Sequence, residues 1–341
     1  MKRLALCLLS FLAAVNLGSV TAHAGESRGS SLPLTHPRGN PAAAALRTAG
    51  RLTVIGSPPT GRQQPPAQAD GWYAISAVAP SAYLVRCPGH SKWCGEVESL
   101  DWSANGRWLA LSVASFGAAN RYNGIHVVDL ITGVDRQIRS CVPVEECDWF
   151  DIDWSPDGSR LAYVSNGRIY IVNRDGSGRR QLRTATVGPD SSPSWSPDGR
   201  RIAFATRPRA HDPASVFVIR SDGGHRVLLT RGASEPAWSP DGTSIAIASH
   251  SRGIKLITPA GRDLPPGVGA SHKLGVSGIP VWSPDGRTIA IVGHRGSPVA
   301  ARAGIYVMDA SGEHLLLVTS ETNARGVTGR ADASWQPPLR P

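Results

Sequence analysis

Along residues 100–336 the apolar positions come in short runs, mostly three to six residues rich in Ile, Val, Leu and Ala, bounded by Gly, Pro or Asp. Such runs are strand signals, and nothing sustains the 3.6-residue period of an amphipathic helix. The runs are also repeated. Aligned on tryptophan, units begin at Trp102, Trp154, Trp195, Trp238, Trp282 and Trp335, at intervals of 41 to 53 residues. The unit at 282 shows the order whole: PVW (280–282), SPDG (283–286), TIAIVG (288–293), a loop, GIYVMD (304–309), ASGE (310–313) and HLLLVT (314–319). The pattern predicts four antiparallel strands per unit.

The segment WSPDG stands at 154–158, 195–199, 238–242 and 282–286. Each of its residues has a backbone role. Proline presets φ at the second position of a type I turn, aspartate bonds nearby backbone N–H groups, and glycine takes the left-handed conformation that follows. Trp154, Trp195, Trp238 and Trp282 supply large apolar surfaces that one small sheet cannot bury alone, so neighbouring units must stack face to face. Asp157, Asp198, Asp241 and Asp285 resemble a catalytic ring when merely counted, but the turn accounts for each of them. Gly158, Gly199, Gly242 and Gly286 complete the structural set, and the serines at 103, 155, 196, 239 and 283 belong to the same turns.

Units of about 40–45 residues are what radial propellers are built from. The chain resembles the TolB-type, or WD40-like, propeller repeat family. The residues that carry the resemblance are WSPDGSRLAYVS (154–165), WSPDGRRIAFAT (195–206), WSPDGTSIAIAS (238–249), WSPDGRTIAIVG (282–293) and IYVMDASG (305–312), with departures at WSANG (102–106) and WQPP (335–338). It implies an all-β fold, a six-bladed β-propeller of four-stranded antiparallel blades. LTVIG (52–56) and WYAISAVAPSAYLV (72–85) are expected to supply three strands that pair with the C-terminal strand and close the ring. The domain expectation is a signal peptide at 1–24, a disordered tail at 25–50 and a propeller at 51–338, without the α/β domain that precedes the propeller in TolB itself.

Composition changes this picture at three points. Lys2 and Arg3 precede an apolar run from Leu4 to Val20 and the small-residue pattern Ala22-His23-Ala24, which reads as a cleavable secretory signal ending near Ala24. The run is too short for a membrane span, so a secreted or periplasmic location is expected. The 36 Lys and Arg exceed the 26 Asp and Glu, but the basic residues are scattered, which argues against a nucleic-acid surface. Cys87, Cys94, Cys141 and Cys147 remain after cleavage. Their C-x6-C and C-x5-C spacings favour disulfides over zinc in an exported chain, with the connectivity open.

Function is expected on the face opposite the SPDG turns, where the long and dissimilar loops 57–71, 114–124, 206–214 and 294–303 lie. Three positions before the tryptophans stand Ser99, Asp151, Ser192, Glu235, Ile279 and Asp332. Asp151, Glu235 and Asp332 predict a negative channel mouth suited to a cation, a basic peptide segment or a metal ion, with solvated loop acids as the bland alternative. His250 and His294 each lie twelve residues after their tryptophan, with Arg207 at the same offset one unit earlier. All three are expected near the loop face, where the histidines are either metal ligands beside a channel carboxylate, Asp151, Glu235 or Asp332, or exposed polar residues at strand ends.

The nucleophile elbow, the H-E-x-x-H zinc motif, the glycine-rich phosphate loop and the dinucleotide fingerprint are all missing from the sequence. The reading favoured is an exported, non-catalytic and monomeric propeller that binds a protein or peptide partner, with no cofactor, no nucleic acid and no membrane span. A metal-assisted hydrolase or lyase at the channel mouth is the alternative. A carbohydrate binder is a third reading, resting on the non-repeat Trp72, Trp93, Trp108 and Trp149.

Overall fold

A computed structural model of the chain describes residues 51–55, 71–76, 82–86, 96–114, 124–129, 131–132, 134–140, 149–185, 187–209, 211–249, 253–264, 274–276, 280–295, 302–311, 315–320 and 333–336. The described elements are all strands, as the apolar pattern predicts. Blade 1 is formed by Glu96–Trp102, Trp108–Ala114, Gly124–Asp129 and Val134–Ser140. Blade 2 follows with Trp149–Trp154, Arg160–Ser165, Arg168–Asn173 and Arg180–Gln181. Blade 3 consists of Asp190–Trp195, Arg201–Thr206, Ser215–Arg220 and Val227–Arg231. Within these blades each strand is hydrogen-bonded to the next in chain order, and all pairings are antiparallel.

Blades 4 and 5 depart from the four-strand rule. Among the described residues blade 4 consists of Ala233–Trp238, Ile245–Ser249 and Gly253–Ile257. Beyond its third strand a single bridge joins Ile257 to Asp263, just before the Pro265-Pro266 pair, and proline cannot donate to a ladder. In blade 5 the innermost position is divided into Leu274–Val276 and Val281–Trp282, both paired to Thr288–Arg295, followed by Arg302–Asp309 and Leu315–Ser320. The expected ring of six uniform four-stranded blades closed through the termini is therefore corrected: the repeats form five blades of three to five strands. Ala333–Gln336, Arg51–Ile55, Gly71–Ser76 and Ala82–Arg86 pair in that order as a separate sheet, whose side chains, Trp335 apart, lie outside the description.

Hydrophobic cores sit between blades rather than inside them. Ala110, Ile125 and Val127 of blade 1 meet Trp154, Leu161 and Tyr163 of blade 2. The arrangement recurs between blades 2 and 3 around Trp195 and Phe204, between blades 3 and 4 around Trp238 and Ile247, and between blades 4 and 5 around Ile289 and Ile291. A sheet with two apolar faces can only be stable sandwiched, so alternate residues of each second and third strand point to opposite neighbours.

The SPDG turn closes as its residue types require. In blade 2 the buried Ser155 hydroxyl donates to Asp157 Oδ1 at 2.5 Å and accepts the Arg160 N–H at 2.9 Å, while Asp157 Oδ1 accepts the Ser159 N–H at 3.0 Å. WSANG reaches the same result, with Asn105 Oδ1 taking the Ser103 hydroxyl and the Arg107 N–H. Turn glycines also touch the preceding blade. A Cβ on Gly242, at φ +72°, would stand 3.0 Å from Cγ of Pro197 in the previous turn. Gly232, at φ +71°, has nothing within 4 Å. We expect Gly232→Ala to cost about 1–2 kcal/mol of unfolding free energy through backbone strain alone, and Gly242→Ala to cost more. Urea denaturation of both variants measures the difference, and equal costs would refute the turn-to-turn contact as a stabilising element.

Candidate functional site

The first strands of consecutive blades lie side by side, which puts them nearest the propeller axis. Each is kinked by an irregular register: between Val97 and Ser99, Phe150 and Asp153, Ser191 and Ser194, and Ser234 and Ala237. At the last three kinks a non-glycine residue takes the left-handed conformation: Asp151 at φ 55°, Ser192 at φ 50° and Glu235 at φ 54°. These are the positions three before tryptophan. Left-handed non-glycine residues are uncommon, and bulges re-aim side chains beside functional surfaces.

Two of the acids anticipated at this site are therefore on inner strands, but they differ. Asp151 is buried, and its Oδ2 accepts the Ser192 N–H of the next blade at 2.8 Å and the Ser192 hydroxyl at 3.3 Å. That is a structural bond between blades, so Asp151 is first a clasp. Glu235 is partly exposed and lies two blades away. Arg207 is exposed and belongs to the connection after Arg201–Thr206, where its N–H donates to the Pro189 carbonyl at 3.3 Å. His294 lies on the second strand of blade 5, paired with Gly275 and Ala303. Its side chain, together with His250, Asp332 and the cysteines 87, 94, 141 and 147, lies outside the described residues. Among the described residues no group of three His, Cys, Asp or Glu is placed to hold a metal ion.

Sequence reasoning missed the residue directly before each tryptophan. Asp101 Oδ1 accepts the N–H of its own Trp102 at 2.9 Å, and its Oδ2 accepts the N–H of Trp154 in blade 2, also at 2.9 Å. Asp153 Oδ2 does the same for Trp195 in blade 3 at 2.6 Å, and Ser194 Oγ for Trp238 in blade 4 at 3.1 Å. The Asp-Trp dipeptides at 101–102 and 153–154 were the available signal. Burial pushes the Asp153 carboxyl well above the usual carboxylate range. The like charge of Asp101 adds to this, and the Trp195 N–H opposes it.

Every charged residue on the described inner strands is acidic: Glu96, Glu98 and Asp101 in blade 1, Asp151 and Asp153 in blade 2, Asp190 in blade 3 and Glu235 in blade 4. The inner strands of blade 5 and of the terminal sheet carry no charge. Arginine is placed peripherally and is largely committed to structure. Arg160 lies over Trp195 of the next blade, its guanidinium carbon 4.9 Å from the ring centre, and Arg201 over Trp238 at 4.8 Å. Arg107 and Arg174 both cover Trp108, at 4.7 and 4.2 Å, which occupies the ring that a carbohydrate would stack on.

The architecture is that of a β-propeller repeat protein. Residues 152–259 match the family model described as TolB beta propeller domain, and residues 82–139 match that of the WD domain, G-beta repeat, so that part of the chain is similar to TolB-type propeller repeats. No curated protein matches it in sequence. Similar solved structures include TolB from Acinetobacter baumannii, at 17% identity and a TM-score of 0.58, covering 84% of this chain and 67% of that one. The putative TolB from Agrobacterium tumefaciens is similar at 18% identity and a TM-score of 0.57, with 80% and 89% covered. A chain of the nidogen/laminin complex follows at 12% and 0.54, with 84% and 98% covered. At these identities the likeness is one of fold.

The raised pKa of the half-buried Asp153 gives a signed prediction. A folded-state pKa raised above the unfolded value of about 3.9 makes the group most favourable to folding below that value, and the benefit declines as pH rises toward the folded pKa. Asp153→Asn keeps an acceptor for the Trp195 N–H and removes the charge. Its melting temperature should exceed that of the unsubstituted chain at pH 7.5 and converge with it below about pH 4. A lower melting temperature at pH 7.5 would mean that the ionised carboxylate is needed for the inter-blade bond.

Proposed function

We propose that this chain is a non-catalytic binding module whose inner-strand acids receive a basic segment of a protein partner at the axial mouth of the propeller. The observation that supports this most is the charge segregation: a chain with net charge +10 carries only acids on the strands nearest its axis. A concave low-dielectric rim lined with one sign of charge focuses the field on an oppositely charged ligand. Partly exposed Glu235, held in a left-handed kink, is the residue assigned to direct contact. Asp101 adds to the field while holding blade 2 in register. The segment at 1–24 supports export, which would bring the module to an envelope or extracellular partner. The metal-assisted alternative is not favoured, because Asp101, Asp151 and Asp153 are each engaged with a backbone N–H of the next blade.

Binding of a fluorescent Lys/Arg-rich peptide and of an acidic control, followed by anisotropy across a salt series, tests the reading. The basic peptide should bind and weaken with salt. Glu235→Gln should reduce its affinity about three- to ten-fold while leaving the melting temperature within a few degrees. Equal binding of both peptides, or an affinity for the basic peptide indifferent to Glu235→Gln, would refute it.

A further inference from the structure

Large apolar side chains exposed among the described residues are few, and three of the five lie in the connection into blade 3 or on its outermost strand, where Val227 and Leu228 point to opposite faces of the blade. Val187 is 91% exposed in the connection from blade 2 to blade 3, and Val227 and Leu228 are 54% and 38% exposed on the outermost strand of blade 3. Arg226 ties the two segments together. Its guanidinium donates to the Thr184 carbonyl at 2.8 Å and the Ala185 carbonyl at 2.5 Å, and it lies over Phe217 at 5.1 Å, the residue paired with Leu228. Arg180 reaches from blade 2 to the Ser221 carbonyl at 2.5 Å, and the Arg183 backbone lies beside the same blade 3 turn at Gly223.

Arg180 and Arg226 bond to carbonyl oxygens, and among the described residues neither they nor Arg183 has a carboxylate partner. The nearby Asp222 is paired with Arg220 at 2.9 Å. The outer rim of blades 2 and 3 is thus a cationic surface studded with exposed aliphatic side chains. That combination fits neither a purely electrostatic ligand, which needs no valine or leucine, nor single-stranded nucleic acid, which needs exposed aromatic platforms. Aliphatic side chains that enter the headgroup boundary, flanked by guanidinium groups that meet lipid phosphates, are what an interfacial contact requires.

We infer that this rim, away from the axial mouth, docks the propeller on an anionic phospholipid surface. The contact leaves the inner strands open, so a module held at a membrane still presents its acidic mouth.

Cosedimentation of the full chain with phosphatidylcholine vesicles, with and without phosphatidylglycerol, tests this. The apolar residues 4–20 are common to all variants, so the comparison among variants carries the result. The chain should prefer the vesicles that contain phosphatidylglycerol. Arg183→Gln should weaken binding about five-fold, and Val227→Ser with Leu228→Ser about ten-fold. Val187→Ser, at the most exposed position, serves as a second apolar variant if the pair unfolds, as reported by tryptophan fluorescence. Loss of preference for the anionic vesicles would overturn the inference. So would a chain that is sensitive to Arg183→Gln but not to the apolar substitutions and is displaced by soluble polyphosphate, since the ligand would then be a soluble polyanion.

Discussion

The structure depends on the contact between the repeat tryptophan of one blade and the inner strand of the blade before it. A three- or four-stranded sheet with two apolar faces gains little by forming alone, and its burial is completed only when a neighbour is in register. Asp101, Asp153 and Ser194 set that register by accepting the tryptophan backbone N–H of the next blade. The indole itself is held in one of two ways. Where the preceding unit has arginine six positions after its own tryptophan, as at Arg160 and Arg201, the guanidinium covers the ring. Elsewhere the indole N–H donates to a carbonyl of the preceding blade, as Trp154 does to Asp101, Trp282 to Ala237 and Trp335 to Val281, each at 3.1 Å.

This requirement explains the charge distribution as well as the stability. Asp101, Asp151 and Asp153 near the axis serve as acceptors for backbone N–H groups, and among the described residues the inner strands carry no cation. Arginines at the periphery clamp tryptophan rings or bond turn carbonyls, so a basic composition spread along the sequence becomes a radial gradient in the fold. The two surfaces assigned to binding follow from the two ends of that gradient. In the two readings proposed, a ligand of positive charge goes to the axis and an anionic surface to the rim.

Much of the architecture was legible in the sequence because its determinants are short-range. The Ser-x-Asp-Gly turns do what their residue types suggest, and even WSANG was recoverable, because asparagine presents the same acceptor oxygen to Ser103 as aspartate does to Ser155. The strand count per blade was less secure. Three described strands make up blade 4, and the inner strand of blade 5 is divided before Val281, so uniform four-stranded blades were too regular an expectation.

The candidate site was half legible. Of the positions three before tryptophan, Ser99, Asp151, Ser192 and Glu235 are on described inner strands, but the sequence treated Asp151 and Glu235 alike, whereas one is a buried inter-blade clasp and the other is partly exposed. Asp101 and Asp153 were passed over because an acid beside a tryptophan has no visible purpose until the next blade is in place. By itself the sequence determined the strands, the turns and the repeat, since each closes within about five residues of chain. Only the tertiary structure decided which acid meets which N–H, because those partners are 41 to 53 residues apart and meet only when whole blades stack.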